Sequence, residues 1–422
     1  MNAQQLPQSL DVAAEVRDFY DRYPYPPPVD NLEKYQKQWQ DQHRRRADYH
    51  LFWPSRPYKE DSSILIAGCG TSQAAKHALR WPRAQVTGID CSATSIRNTE
   101  ELKRKYNLKN LQVRQLAIEQ VEDLGMTFDQ IVCTGVLHHL ANPDVGLSAL
   151  GRVLKRDGAM HLMVYAPYGR AGIYMLQEFC RRIGIRATDG EIRDLIRALG
   201  ALPPGHPLET LLKQAPDFRN EAALADALLH PQDRAYSVPQ LFDFLENAGL
   251  TFGRWVRQAP YSLHCGVIAQ IPQAARMAAL PPAEKYAAIE LFRGTIVRHS
   301  VIAYRGDGDS LPKINFTSDA WADYVPIRMP DTVCVQDRLP QSAAAVLINQ
   351  THTYRDLFLP VTTTEKRLLD MIDGIRSIGA IVEHTLNSTD RRTNFNTARI
   401  FFERLWWHDQ VVFDASQQTA TG

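Results

Sequence analysis

The sequence lacks a net charge, a cysteine framework, a long apolar run and a repeat. Lys and Arg total 48 against 47 Asp and Glu, a formal net charge of +1, so no global basic field draws the chain onto nucleic acid. Six cysteines stand at 69, 91, 133, 180, 265 and 334 with no CxxC pair, the pattern of reduced thiols rather than of disulfides or a structural zinc site. No apolar stretch approaches the roughly 20 residues needed to span a bilayer. The first residues, Met1-Asn-Ala-Gln-Gln-Leu-Pro, have neither a basic start nor an apolar core, so no secretory leader is expected and a cytoplasmic location is. A glycine is also missing: Gly68 and Gly70 begin a dinucleotide-type G-x-G-x-x-G, but position 73 is Gln.

What is present is ordinary in bulk and specific in places. Hydrophobic residues make up 44% and charged residues 23% of 422, which suits a globular chain of two or three domains. Ile64–Ala67 is a continuous apolar run, as in a parallel strand covered on both faces. Gly68-Cys69-Gly70 then permits a sharp turn, and the segment from Thr71 can open a helix whose first amides are unpaired. Val86–Asp90 is a second strand ending in an acid, placed to accept hydrogen bonds from a ribose diol. The stretch thus predicts a nucleoside site on an open α/β sheet.

Strands at Leu111–Leu116, Phe128–Thr134 and Ala159–Tyr165 alternate with helical patterns, predicting a doubly wound parallel sheet. The reading over 170–236 is a helical cap inserted after the fifth strand. Thr251–Gln258 and Leu263–Ile271 then read as an antiparallel hairpin. Before the sheet, residues 1–60 form a helical and proline-rich segment. In it Pro24, Pro26, Pro27 and Pro28 force extension between Tyr20, Tyr23 and Tyr25, either as a strap packed on the domain or as a lid over a site. The run His43–His50 reads as a solvated basic helix face or an anion contact.

Pro272–Pro282 reads as a linker, and 283–422 as a separate α+β domain. There Thr362–Val382 reads as helix, Asp-Gly turn and helix, with a third helix over Thr397–Trp407, a short strand at Gln410–Phe413 and a frayed tail from Gln417.

The turn Gly68-Cys-Gly-Thr-Ser72 resembles the first motif of class I S-adenosylmethionine-dependent methyltransferases, with Ile66 and Ser72 departing from the usual acid and last glycine. Cys133-Thr-Gly-Val-Leu-His-His-Leu140 is similar to their fourth motif, and a terminal antiparallel hairpin closes their sheet. The resemblance covers 61–272 and implies S-adenosyl-L-methionine as cofactor. Implied cofactor residues are Ala67, Gly68, Cys69, Gly70, Gln73, Asp90, Cys91, Ser92, Ala117, Ile118, Glu119, Thr134 and Gly135. The C-terminal order resembles a small winged-helix module of the peptide-binding kind.

The implied reaction moves a methyl group to an N or O nucleophile of a small molecule or of a protein or peptide side chain. His138, His139 or Tyr165 would serve the chemistry, since a neutral imidazole accepts a proton near pH 7. Tyr20, Tyr25, Tyr168, Arg170 and Tyr236 would line the acceptor site. Adjacent histidines face different ways and no third ligand is spaced nearby, so no metal is expected. A homodimer is possible, while nucleic acid and membrane partners are not expected. The competing readings are a catalytically silent S-adenosylmethionine-binding module and an NAD-dependent oxidoreductase, the latter opposed by Gln73.

Overall fold

A computed structural model describes residues 6–214, 220–308, 314–386 and 390–417; the tail read from Gln417 lies outside these from residue 418 onward. The chain divides into two compact units. The first comprises residues 1–36, 60–254 and 286–308, and the second 37–59, 255–285 and 309–422.

The first unit is built on one mixed sheet. Its strands are β1 (Ser63–Ala67), β2 (Gln85–Asp90), β3 (Leu111–Gln115), β4 (Phe128–Thr134), β5 (Leu154–Tyr165), β6 (Leu250–Trp255) and β7 (Arg298–Arg305). They lie in the order β3-β2-β1-β4-β5-β7-β6. β1 runs parallel to β2 and β4, with Ile64 opposite Val86 and Gln130, while β7 is antiparallel to β5. The apolar run that marks β1 is buried from Ile64 to Ala67, as a central strand covered on both faces requires.

Helix Gln73–Arg80 packs on this sheet without a glycine at position 73. A Cβ on Gly88 of β2 would come 2.7 Å from Ala74 Cβ, so the close approach is made by an alanine over a strand glycine. Ala74, Ala75 and Ala78 are all buried there. After β5 the chain forms helices Ala171–Arg182, Asp189–Leu199, Glu209–Gln214 and Glu221–Leu229. Their core takes in Phe19 of the N-terminal helix Leu6–Arg22 and Tyr23 just after it.

Two expectations fail. Leu263–Ile271 is not a strand: Gly266 has a left-handed backbone (φ +58°), Val267 N donates to Asp356, and Gly266–Gln270 forms a 3-10 turn. An extended path is broken there, and the antiparallel strand beside β5 comes instead from 298–305. Nor is 272–282 a plain linker, because helices Ala274–Ala278 and Pro282–Arg293 occupy it and the chain then returns to the first unit. Glu290 helps fix that return, accepting from Val238 N at 2.9 Å and lying 3.0 Å from His299 Nε2. The unit built on the mixed sheet so takes in residues beyond 272, and the boundaries expected at 272 and 283 do not divide the compact units.

The second unit carries a three-stranded antiparallel sheet, β11 (Phe358–Val361), β10 (Ala345–Asn349) and β9 (Thr332–Val335), and a pair of β12 (Val411–Asp414) with β8 (Val325–Arg328). Helices Thr363–Asp370, Ile378–Thr385 and Arg391–Trp407 enclose its apolar core, the last starting earlier than the pattern implied. Thr362 and Glu365 form a capping box that starts the first of them. The basic run 43–50 lies in helix Gln42–Phe52, and its arginines are partly buried: Arg44 pairs with Asp331, and Arg46 with Asp414. It is a packed face, not a solvated one. Among the described residues no helix is long and apolar enough to cross a membrane.

Burial holds His77 neutral, its pKa lowered to about 3. A lowered histidine pKa supports the fold above the unfolded value near 6.5, and that support is lost as pH falls through the folded pKa. Stability should therefore drop between pH 6.5 and 5 by up to about 1.4 kcal/mol per pH unit from this group. Urea unfolding of wild type and His77→Gln at pH 7.5 and 5.0 checks it. The variant should lose less on acidification; equal losses contradict the assignment.

Candidate active site

The glycine turn closes β1. Gly68 and Gly70 both take left-handed backbone (φ +69° and +53°). A Cβ on Gly68 would meet Val136 Cγ2 at 2.4 Å, so the turn touches the loop that follows β4. Gly70 N donates to Asp90 Oδ2 (2.8 Å), and Ser92 N donates to Asp90 Oδ1 (2.9 Å). Burial raises the Asp90 pKa, the two amides oppose this, and the nearby charge of Asp21 adds to the rise. Ser92 caps helix Ala93–Lys105. Asp21 accepts from Ser92 Oγ (2.6 Å) and Thr94 N (3.1 Å), tying the N-terminal helix to the same corner.

The proline-rich segment lies on the turn itself. Thr71 Oγ1 donates to Pro26 O at 2.9 Å, and Tyr25 O and Pro26 Cδ stand 3.7 Å from a Cβ built on Gly70. The other implied cofactor residues gather at the same edge. Cys91 and Ser92 follow β2, and Ala117 begins the 3-10 turn Ile118–Leu124 that carries Glu119 after β3. Thr134 and Gly135 end β4. Gln73 opens the helix, while the Cys69 and Ile118 side chains are buried.

A second cluster forms where the ends of β4 and β5 meet the cap. His138 packs against the Tyr165 ring (3.9 Å between centroids) and against His139 (4.2 Å). His139 packs on His230 (3.9 Å), and Tyr20 lies 5.2 Å from His230. Tyr20 OH donates to Asp226 Oδ1 at 3.0 Å, and Tyr165 OH reaches Asp226 Oδ2 at 3.5 Å. Arg170 stacks over Tyr165 at 3.5 Å and pairs with the buried Asp233, which also accepts from Gln177.

Burial raises the pKa of Asp226, with His139 and the Tyr20 hydroxyl acting against it. Burial, followed by Asp226, raises Tyr20 and Tyr165, so both phenols stay protonated and donate. His138 is pushed well below the ordinary histidine value and His230 to about 2, in each case by burial first.

Of the expected acceptor residues, Tyr20, Tyr165 and Arg170 meet here together with both histidines. Tyr168 is exposed, and Tyr236 is buried with its ring stacked on Phe244. Tyr25 lies over the glycine turn instead. The expectation that no third ligand stands near the histidines does not hold. Ligand-type atoms of His139, Asp226 and His230 lie within 4.8 Å of one another, the last two brought in by the cap. Asp21, Asp226 and His230 escaped the sequence reading. The signal for Asp226 was a lone acid inside the apolar helix Glu221–Leu229.

Residues 65–160 match a family model described as a methyltransferase domain. The uncharacterized protein syc1184_c of Synechococcus sp. (strain ATCC 27144 / PCC 6301 / SAUG 1402/1) is 34% identical over 58% of this chain and 60% of its own length. The uncharacterized protein RP789 of Rickettsia prowazekii is 29% identical over 28% of this chain and 21% of its length. This chain therefore spans less than two thirds of either relative. Among solved structures, PKMT2 from Rickettsia typhi in complex with AdoHcy superposes with a TM-score of 0.64 at 15% identity, covering 92% of this chain and 77% of that one. That likeness is one of fold. Residues 65–160 are thus similar to a methyltransferase domain, and the strand order is that of the class I methyltransferase fold.

Gly68 tests the turn. Gly68→Ala places a Cβ against Val136 on a left-handed backbone, and should destabilise by about 1–3 kcal/mol. Val136→Ala in the same chain relieves the clash but not the backbone strain, so it should restore only part. Thermal unfolding of the two variants checks this, and full rescue would refute the strain.

Proposed function

We propose that this protein transfers a methyl group from S-adenosylmethionine to a nucleophile held between the ends of β4 and β5 and the helical cap. The observation that carries the reading is the pair of adjoining sites on one sheet edge. One is the glycine turn latched to Asp90; the other is the buried cluster of His139, Asp226, Tyr20 and His230. The sulfonium supplies an already activated methyl, so the chain's task is alignment, exclusion of water and removal of a proton.

Asp90 accepts the ribose hydroxyls, while Gly68, Gly70 and Gln73 frame the methionine end. Ala117, Ile118 and Glu119 flank the adenine, and Thr134 and Gly135 border the methyl path. Cys91 and Ser92 support Asp90 from the start of the next helix. The Tyr25–Pro27 segment lies on the turn, the place from which a lid would cover the cofactor. The AdoHcy in the Rickettsia typhi PKMT2 structure supports the cofactor assignment.

Calorimetry with S-adenosylhomocysteine tests the first site. Asp90→Ala should weaken binding by about 1–3 kcal/mol, as a ribose diol loses its acceptor. Wild-type affinity should also fall on acidification sooner than for an ordinary carboxylate, because the Asp90 pKa is raised and a protonated acid accepts less well. Protection from thermal unfolding by NADH but not by S-adenosylhomocysteine would overturn the reading. Asp226→Asn should leave that binding intact and lower methyl transfer from tritium-labelled S-adenosylmethionine to extract fractions; unchanged transfer would remove the cap cluster from the reaction.

A further inference from the structure

The three groups within 4.8 Å of one another invite a metal, but their hydrogen bonds prescribe something else. One residue sets the protonation of both histidines. His139 Nδ1 lies 2.7 Å from Gln232 O, and a carbonyl only accepts, so this nitrogen carries the proton and neutral His139 has a bare Nε2. Gln232 N donates to His230 Nδ1 at 3.1 Å, so that nitrogen is the bare one and the proton of neutral His230 sits on Nε2. His230 has no other protonation state to fall back on, since burial holds its pKa at about 2.

Both Nε2 atoms are buried and have no hydrogen-bond partner. One ring nitrogen of each histidine lies within 4.8 Å of the other's and of an Asp226 oxygen. With both Nδ1 atoms engaged by Gln232, the unpartnered atoms are an acceptor on His139 and a donor on His230. A metal would need a lone pair from each histidine, and His230 Nε2 has none to give. An ammonium would find an acceptor in His139, but it has no lone pair to accept the His230 proton, which would stay unsatisfied. A hydroxyl satisfies both: its hydrogen goes to His139 Nε2, one lone pair accepts from His230 Nε2, and another stays free to react.

We propose that the methyl acceptor is a hydroxyl group, with His139 as its general base and His230 as the donor that holds its oxygen. The inference rests on the methyl transfer proposed above. In the step, an oxygen lone pair forms the new C–O bond. The methyl carbon–sulfur pair stays on sulfur, leaving a neutral thioether, and the hydroxyl proton passes to His139 Nε2. The imidazolium that results is stabilised by Asp226, which already couples to His139. His138, stacked behind on Tyr165 with neither ring nitrogen bonded, positions His139 rather than taking the proton.

Two measurements on the full chain test this. Two-bond proton–nitrogen NMR of 15N-histidine-labelled protein, assigned with His139→Gln and His230→Gln, reads the tautomers without any turnover. The expected result is His139 protonated on Nδ1 and bare on Nε2, with His230 the reverse. Any other pair of tautomers overturns the proposal, as does one tightly held metal ion per chain that is lost in His230→Gln.

The second measurement takes the tritium-labelled product and treats it with hydriodic acid, which releases O-methyl groups as methyl iodide. Release supports a hydroxyl acceptor, and label retained on nitrogen overturns it while leaving methyl transfer standing. His139→Gln should slow single-turnover transfer ~10²–10⁴-fold with unchanged S-adenosylhomocysteine affinity. A wild-type rate in that variant also overturns the proposal. If no label is transferred at all, the proposed function fails, and the NMR result still decides the tautomers.

Discussion

A carboxylate taken out of water has to be met by donors, and at Asp90 those donors are main-chain amides of two different elements. Gly70 N is available because the left-handed glycines end β1 before the helix begins. Ser92 N is available because it stands at the start of helix Ala93–Lys105, where amides have no intrahelical partner. One side chain thereby locks the turn after β1 to the end of β2. The same helix start has amides left over, and Asp21 takes Thr94 N together with the Ser92 hydroxyl. Two acids beside one helix N-terminus are favoured by its dipole, although each raises the cost of ionising the other. The N-terminal helix is bound to the sheet by that demand. It is as much a part of the site as the glycine turn.

Asp226 poses the same problem on the other side, and the answer there is different. Among the described residues no amide reaches it; phenols of Tyr20 and Tyr165 do, and His139 and His230 stand beside it. The positive charge nearby, on Arg170, is already matched by Asp233. A carboxylate held by phenols and left without a cation of its own can respond to a positive charge created beside it. That is the situation a general-base histidine produces when it takes a proton. An Arg–carboxylate pair would have been a poorer choice, because its charge is spent before the reaction starts.

The sheet was legible because strands buried on both faces must be apolar throughout, and Ile64–Ala67 shows nothing else. The missing third glycine was read correctly as the loss of a dinucleotide pattern. Its packing role passed to Gly88, in a strand where a lone glycine carries no motif. The run 263–271 misled because apolar content alone does not specify extension. Gly266 with a left-handed backbone and the bond from Val267 N to Asp356 turn it into a 3-10 element, and Asp356 lies 89 residues away in sequence. Long-range partners also explain the half-read site. Tyr20, His138, His139, Tyr165 and Arg170 announced themselves by residue type near strand ends, but Asp226 and His230 join the cluster only by where the cap puts them.

Tyr20 shows why the segment before the sheet and the cap after β5 belong to one device. It sits on the helix that Asp21 fastens to the start of helix Ala93–Lys105, it donates to Asp226 in the cap, and burial, then the charge of Asp226 and more weakly that of Asp90, raise its pKa. A phenol in that position cannot ionise, so it remains a donor at every physiological pH. Its neighbours Phe19 and Tyr23 bury themselves in the cap core, so the hydroxyl cannot swing away without exposing that apolar surface. Opening the acceptor cluster therefore means moving the N-terminal helix off the cap. The same motion strains the Asp21 contacts beside Asp90. The two clusters are therefore coupled through one helix.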